Sequence, residues 1–290
     1  MKLAPVLIFT YNRPWHTLQT LTSVRNNTLA SSSDIIIYSD GPKISASPDD
    51  SRNIEKVREI IHRQDWDLNI KVRTSSTNKG LAKSIIEGVT ETLREYEHVI
   101  VLEDDMVVSP HFLTYMNEAL TKYENEGSVI SVHGFNLPIN YKVPFFLKGA
   151  DCWGWATWRR GWSLFRSDGR LLMNEIMERK SSYEFDLEGA YQYTEMLQNQ
   201  IDGKNNSWAI RWYASAFLEN KLTLYPGISL VRNIGNDNSG THRQDGQFMK
   251  TEVSDEKIVL QDIPIKESTL ARELISKYLL KHSNLNYLFC

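Results

Sequence analysis

The chain has 290 residues, of which 41% are hydrophobic and 24% are charged, and its formal net charge at pH 7 is -3. This composition is typical of a globular protein with one large or two small domains, and the charge gives no electrostatic reason to expect a nucleic-acid partner. Only two cysteines occur, Cys152 and Cys290, which argues against a disulfide framework and favours a reducing compartment. We expect a soluble, cytoplasmic protein, because the start lacks a signal-peptide pattern and no apolar stretch is long enough to cross a membrane.

The first part of the chain alternates apolar strands with amphipathic helices. Strands are predicted at residues 3–9, 34–39, 68–73 and 97–102. A helical pattern follows each of them, starting at Pro14 and at residues 49–63, 81–96 and 109–123. Four strand–helix repeats predict an α/β fold with a doubly wound, mostly parallel sheet and helices on both faces.

The second half has shorter elements and more aromatic residues. Strands are predicted at 128–133, 141–148 and 222–226, and helices at 171–179, 185–201 and 207–219. The spacing of Trp155, Trp158 and Trp162 predicts one helical face, which suits packing in the core. Residues 235–242 are rich in glycine and asparagine and are predicted to form a mobile loop. A helical pattern returns in the tail after residue 252.

Three acidic residues, Glu103-Asp104-Asp105, follow the fourth predicted strand directly and are called the acidic cluster here. Because a capped helix is predicted to follow, we expect the cluster in a strand-to-helix turn at the carboxyl edge of the sheet, where open α/β sheets bind their ligands. Adjacent carboxylates repel one another, and a hard divalent cation such as Mg²⁺ or Mn²⁺ relieves the repulsion. The alternative is a solvated acidic turn, and the flanking strand and helix favour the metal site.

Further polar side chains are predicted at the same edge, after the first three strands. Arg13 and Lys79 would supply the positive charge that a diphosphate needs, and Asp40 would supply acceptors for a base or ribose. Each of these residues alone is common on an ordinary surface or in a turn, and only their coincidence indicates a site for a nucleoside diphosphate. The chain has no GxxxxGK[ST] motif and no GxGxxG after the first strand, which excludes the P-loop and dinucleotide-binding classes.

These residues also carry a resemblance to a known family. Residues 9–13, 39–41, 101–112, 154–155, 225–229 and 240–248, taken as an ordered series, resemble GT-A glycosyltransferases, in particular N-acetylglucosaminyltransferase I and bacterial sugar transferases of surface polysaccharide synthesis. The resemblance implies a GT-A-like catalytic domain at 1–248, with a nucleotide-binding half at 1–108 and an acceptor half at 109–248. Residues 249–290 would form a helical extension.

The resemblance implies an enzyme that moves a hexosyl or N-acetylhexosaminyl group from a nucleotide-sugar, a UDP-sugar by likeness, to a glycan or a lipid-linked saccharide. Inversion at the anomeric carbon and dependence on Mn²⁺ or Mg²⁺ are implied with it. A lipid-linked acceptor would bring the enzyme to the inner face of a membrane. There the tail with Lys277 and Lys281 would assist, although we expect that helix to pack on the core.

The same resemblance assigns roles to single residues. Asp105 would be the principal metal ligand, and His242 would be a second ligand or a phosphate contact. Glu103 and Asp104 would face the donor sugar and the ribose. The remaining donor-binding residues would be Asp40 at the uracil, Arg13 at the base or diphosphate, and Thr10, Tyr11, Asn78, Lys79 and Trp155.

The general base is where the sequence departs from the family pattern. The eukaryotic relative carries two aspartates between two tryptophans near the start of a late helix, and the matching residues 205–212 contain no carboxylate. Asp202 and Asp151 are the nearest acids, and either could be the base or could cap a turn.

Two other functions remain open at this point. A nucleotidyltransferase would need a glycine-rich basic loop after the first strand, which residues 11–14 do not supply. A non-catalytic nucleotide-sugar-binding protein would be consistent with the missing base.

Overall fold

The structure is a computed structural model that describes residues 3–235, 237 and 251–282. The strands are β1 Val6–Thr10, β2 Asp34–Ser39, β3 Asn69–Thr74, β4 His98–Glu103, β5 Met106–Val108, β6 Val129–His133, β7 Phe145–Lys148, β8 Trp155–Trp158, β9 Leu222–Tyr225 and β10 Val231–Asn233. The helices are α1 Pro14–Arg25, α2 Pro48–Ile61, α3 Leu81–Glu95, α4 Phe112–Lys122, α5 Arg159–Trp162, α6 Gly169–Glu178, α7 Ser182–Phe185, α8 Tyr193–Ile201, α9 Trp208–Leu218 and α10 Thr269–His282.

The central sheet has eight strands in the order β3-β2-β1-β4-β8-β6-β9-β7. The first four are parallel neighbours, β8 is antiparallel to both β4 and β6, and β7 is antiparallel to β9, so six of the eight strands point the same way. Every residue of β1 and β6 is buried, as expected for strands covered on both faces. The predicted α/β class with a doubly wound, mostly parallel sheet is confirmed.

The acidic cluster does not lie in a strand-to-helix turn, and that prediction was wrong. Glu103 is the last residue of β4, and β5 begins directly after Asp105. β5 is a three-residue strand that pairs antiparallel with β10, and α4 begins only at Phe112. A strand of three residues is too short to carry a periodic signal. Its partner β10 lies more than a hundred residues later in the chain, so no local pattern indicates the pairing.

Two predictions for the second half were also wrong. The single helix predicted at 185–201 is two helices, α7 and α8, because Leu187, Glu188 and Gly189 between them have positive φ angles of 51°, 56° and 79°. Trp155 and Trp158 are not on a helix but on β8, where residues three apart point to opposite faces of the sheet. The expectation that these tryptophans are buried is confirmed.

The C-terminal part of the described chain packs on the sheet. Ala271, Ile275 and Leu279 of α10 belong to the main core, and Arg272 is paired with Glu188 at 2.8 Å and Glu267 at 3.0 Å. The tail helix therefore packs as expected, while the domain boundaries given above stay a prediction. Within the described residues, no helix is long and apolar enough to span a membrane.

Candidate functional site

The acidic cluster lies at the carboxyl edge of the sheet and is enclosed. Asp104 and Asp105 are 4% and 6% exposed, and Glu103 ends a strand whose four preceding apolar residues are buried. The sequence brings these charges to a buried position because β4 must lie in the middle of the sheet, between β1 and β8. Three carboxyl groups in one buried turn are costly unless other charges offset them.

Arg13, which precedes α1, supplies part of that compensation. Its Nη2 lies 2.8 Å from Asp105 Oδ2 and also donates to Asp104 Oδ1. Burial lowers the pKa of Arg13, but the charges of Asp104 and Asp105 outweigh that effect, and the pKa is raised above its ordinary value. The guanidinium therefore remains charged, and the site holds one cation against three acids.

The imbalance shows in the pKa values of the acids. Burial raises the pKa of Asp104 in spite of the nearby Arg13. Burial, with the charge of Asp105 as the next cause, raises the pKa of Glu103 to about 8. One arginine thus does not fully offset the three carboxyl groups, and a further cation would be favourable here.

The free acceptor atoms fit a divalent cation in part. Within the described residues, Asp105 Oδ1 and Glu103 Oε1 are buried and have no hydrogen-bond partner. No group of three His, Cys, Asp or Glu side chains suited to a metal is found in that part of the chain. His242, the predicted second ligand, lies outside the described residues. The donor set therefore fits an ion such as Mg²⁺ or Mn²⁺ that is held by one or two carboxylates and completed by phosphates of a ligand.

The segment after β10 covers the acidic cluster. Ile234 donates its backbone N–H to the Asp105 carbonyl at 2.9 Å, and Gly235 follows. A Cβ atom on Gly235 would lie 2.1 Å from Asp105 Oδ2, so only glycine fits here without displacement. Asp237 Oδ2 lies 3.0 Å from His16 Nε2 on α1. In the sequence, Gly235 is only the first residue of a glycine- and asparagine-rich stretch, and that pattern indicates a loop but no role at the site.

Asp40 lies at the end of β2 and organises the loop before α3. Its carboxylate accepts hydrogen bonds from the backbone N–H groups of Gly41, Lys79 and Gly80 at 2.8–3.1 Å. It also accepts one from Asn78 Nδ2 at 3.0 Å. The structure thus brings Asp40 and Asn78 together, with Lys79 present through its backbone. Their predicted contact with a donor nucleotide stays a prediction.

The other predicted donor-binding residues differ in whether their side chains are directed to the carboxyl edge of the sheet. Thr10 is buried and its Oγ1 donates to the Tyr38 carbonyl, while burial raises the pKa of Tyr11 next to it. The Lys79 ammonium points instead to Glu87 of α3, at 2.8 Å, and both side chains are largely exposed. An exposed pair of this kind is weak, so Lys79 is not held in place by it.

Trp155 lies inside the core beside the acidic cluster. It is fully buried, and its ring stacks on Trp208 with centroids 5.3 Å apart. Trp208 begins α9, and its indole N–H has no hydrogen-bond partner among the described residues, although its proximity to Glu103 favours ionisation of that carboxyl. No role for Trp208 is predicted from the sequence, because no local pattern shows that the start of α9 reaches β4.

The two candidate bases have different surroundings. Asp202 ends α8 and is exposed, and its carboxylate accepts from Gln198 at 2.8 Å and pairs with Lys204 at 3.1 Å. The hydrogen bond from Gln198, with that from Lys204, lowers the pKa of Asp202. Asp151 lies on the loop before β8, where it accepts from the Cys152 backbone N–H at 2.8 Å and from Tyr225 Oη at 3.4 Å.

Comparison with known proteins bears on this site. The family model described as "Glycosyl transferase family 2" matches residues 6–161, just over half of the chain. No curated protein matches. Among solved structures, S. aureus TarS 1-349 is 13% identical over 80% of this chain and 60% of its own, with a TM-score of 0.42.

Two further structures are similar at the same low level. TarS 1-349 in complex with UDP is 15% identical over 55% of this chain and 47% of its own, with a TM-score of 0.37. A UDP-glucose pyrophosphorylase complexed with UDP-glucose is 12% identical over 78% of this chain and 91% of its own, with a TM-score of 0.38. The chain spans less than two thirds of the TarS structures it matches.

Proposed function

The chain belongs to glycosyl transferase family 2, and from that membership we propose that it transfers a sugar from a nucleotide-sugar, in particular a UDP-sugar, to a saccharide acceptor with the help of a divalent cation. The protein is a glycosyltransferase with a GT-A fold. The donor, the cation and inversion at the anomeric carbon are the parts that we propose.

One observation carries the proposal for the donor site. Asp105 Oδ1 is buried without a partner among the described residues, while Asp105 Oδ2 is bound by Arg13. A free carboxylate oxygen beside a fixed guanidinium suits a cation and a diphosphate together, since Asp105 would hold the cation and Arg13 would contact the remaining phosphate charge. When bound, Mg²⁺ or Mn²⁺ offsets the charge that develops on the departing nucleoside diphosphate.

The other residues at this edge would orient the donor. Asp40 holds the loop of Asn78 through four neighbouring donors, so we assign it the shape of the base pocket as well as the predicted uracil contact. We assign Glu103 and Asp104 to the sugar and ribose side of the donor, as the resemblance implies. Trp155 would act through Trp208, because Trp155 itself is fully buried.

The proposed biological setting follows the resemblance of the sequence. A glycan or lipid-linked saccharide of a bacterial surface polysaccharide is the proposed acceptor class. A lipid-linked acceptor implies work at the inner face of a membrane.

A thermal-shift screen of nucleotide sugars, with and without Mn²⁺, tests the donor and the cation together. A bound donor stabilises the fold by mass action, so we expect a UDP-sugar to raise the unfolding temperature and Mn²⁺ to increase that shift. Asp105→Asn should remove the Mn²⁺-dependent part, while Asp255→Asn, an exposed aspartate, is the matched control.

The other outcomes separate the alternatives. An Asp105→Asn variant with the full Mn²⁺-dependent shift would exclude the metal role. Release of pyrophosphate from a nucleoside triphosphate would favour a nucleotidyltransferase. Donor binding without transfer to any acceptor in a saccharide panel would favour a non-catalytic binding protein.

A further inference from the structure

A second polar cluster lies at the carboxyl edge of the sheet, away from the acidic cluster. His133 ends β6, Tyr225 ends β9, and Asp151 precedes β8. Asp151 Oδ2 accepts from Tyr225 Oη at 3.4 Å and lies 3.9 Å from His133 Nδ1. Three elements that are distant in the chain therefore converge on one carboxylate, whose side chain is 28% exposed and so remains accessible.

His133 is buried next to Asp151, and a backbone hydrogen bond fixes its ring. The imidazole is fully buried, and its Nε2 accepts the Trp153 backbone N–H at 3.2 Å. Burial lowers the pKa of His133, so the ring is neutral at neutral pH, and a neutral ring that accepts at Nε2 carries its proton on Nδ1. Asp151 Oδ2 lies 3.9 Å from that Nδ1, close to the His133 ring but beyond hydrogen-bond distance.

Tyr225 is likewise held as a donor. Burial raises the pKa of its phenol well above the ordinary value, and the charge of Asp151 adds to the effect. The ring is stacked on Phe145 with centroids 5.3 Å apart and planes within 4°. Asp151 Oδ1 is bound by the Cys152 N–H at 2.8 Å, so both carboxylate oxygens are oriented by groups that packing holds in place.

The position of Asp151 suits a side chain that acts on a bound sugar from the side opposite the acidic cluster. Strands β4 and β6 are separated only by β8, which places their ends roughly 10 Å apart. Asp151, beside the end of β6, and the acidic cluster, at the end of β4, thus lie on neighbouring parts of the same edge of the sheet.

A cavity borders Asp151. It has a volume of about 70 Å³, and aromatic and aliphatic side chains line most of its wall, among them Phe135, Tyr193, Met196, Tyr213 and Tyr225. A cavity of this volume has space for a few water molecules or for part of a bound group. An apolar wall with a few polar groups is the usual composition of a small-molecule pocket.

We propose that Asp151 is the general base for the acceptor, with His133 and Tyr225 as positioning residues. This rests on the proposed transferase function. In the step, the acceptor oxygen forms a bond to the anomeric carbon, and the bond from that carbon to the diphosphate oxygen breaks. The electron pair leaves with the nucleoside diphosphate, and the hydroxyl proton passes to the Asp151 carboxylate.

Asp202 is the rival, and its surroundings do not suit the role. Its carboxylate is exposed and shared between Gln198 and Lys204. Gln198 and Lys204 are themselves exposed, and an exposed pair of this kind does little to fix a carboxylate.

The test measures UDP release from UDP-N-acetylglucosamine and UDP-glucose in the presence of Mn²⁺, with water as the acceptor. Water needs the same base as a saccharide hydroxyl. We expect Asp151→Asn to lower the rate by about 100-fold or more, because a positioned base contributes a factor of that size. The UDP-induced thermal shift should be unchanged in this variant, and Asp202→Asn should release UDP like the wild type.

Tyr225→Phe tests the positioning role. It removes one hydroxyl and keeps the ring stacked on Phe145, so the fold should be retained. We expect kcat to fall about tenfold with an unchanged KM for the donor, since one hydrogen bond to a charged group is worth about that factor. A purely structural role would lower the unfolding temperature and leave kcat unchanged.

The outcomes separate this proposal from the proposed function. Failure of the wild type to bind UDP would overturn the proposed function itself. Binding with no UDP release by the wild type would likewise count against the transferase function. An Asp151→Asn variant within threefold of the wild type, or loss of release in Asp202→Asn, would overturn the assignment of Asp151 alone. Loss of the UDP-induced shift in Asp151→Asn would show that the residue acts in donor binding instead.

Discussion

Gly235 packs so closely against Asp105 that a Cβ atom on it would lie 2.1 Å from the Oδ2 atom of that carboxylate. The same Cβ would lie 2.9 Å from Arg13 Nη1. The backbone after β10 thus sets the position of the ion pair between Asp105 and Arg13.

We therefore expect Gly235→Ala to displace the Asp105 carboxylate. It should lower the free energy of unfolding by about 1–3 kcal/mol through overpacking and reduce the Mn²⁺-dependent thermal shift with UDP. Gly127→Ala is the matched control, because a Cβ there would meet no atom within 4 Å. Equal shifts in the two variants would show that the contact does not govern the site.

Arg13→Met should leave two buried carboxylates without their partner. We expect the free energy of unfolding in EDTA to fall by about 3–5 kcal/mol, measured by urea denaturation. Added Mn²⁺ should restore part of the loss, because the cation would supply positive charge at the same carboxylates. Arg52→Met, which breaks an exposed pair with Asp49, should change stability by less than about 1 kcal/mol. An Arg13→Met variant as stable as the wild type in EDTA would contradict the role of the ion pair.

The raised pKa of Glu103 predicts that the free energy of unfolding depends on pH. This pKa is about 8 in the folded chain and near 4.5 ordinarily, so the folded state binds more protons than the unfolded state between those values. Raising the pH through this window therefore lowers the free energy of unfolding, by at most about 1.4 kcal/mol for each pH unit. Glu103→Gln lacks the titrating group.

Urea denaturation of both proteins at pH 5, 6, 7 and 8 in EDTA measures this effect. The stability of the wild type minus that of Glu103→Gln should fall steadily across the series. The exposed Glu178→Gln serves as the control, with a difference from the wild type that does not change over the series. A constant difference for Glu103→Gln would refute the raised pKa.

Asp40→Asn should destabilise the loop before α3. The amide nitrogen of asparagine cannot accept the backbone N–H groups that the carboxylate now accepts, so at least one buried donor loses its partner. We expect a loss of about 2–4 kcal/mol in the free energy of unfolding and a weaker thermal shift with UDP. Asp67→Asn is the control, because Asp67 is exposed and its φ of 54° suits asparagine. Stability equal to that of the wild type would show that the Asp40 hydrogen bonds are not needed for this loop.

The sequence by itself determined the first half of the sheet and the place of the acidic cluster. β1 and β4 are apolar runs that only a central, doubly covered strand can bury, so both their positions and the edge where Asp105 lies follow from local pattern. The helix start at Pro14 follows from local chemistry in the same way, and the second helix begins at Pro48, one residue before its predicted start.

Only the tertiary structure decided what surrounds those residues. β5 exists because β10 pairs with it, and the backbone of Gly235 reaches Asp105 for the same reason. Asp151, His133 and Tyr225 meet because three strands end side by side, although more than 90 residues separate His133 from Tyr225. A local sequence pattern shows the hydrophobic periodicity of one strand or helix and the residues that cap it. The pairing of short strands and the burial of single charges depend on contacts between distant segments, which such patterns do not contain.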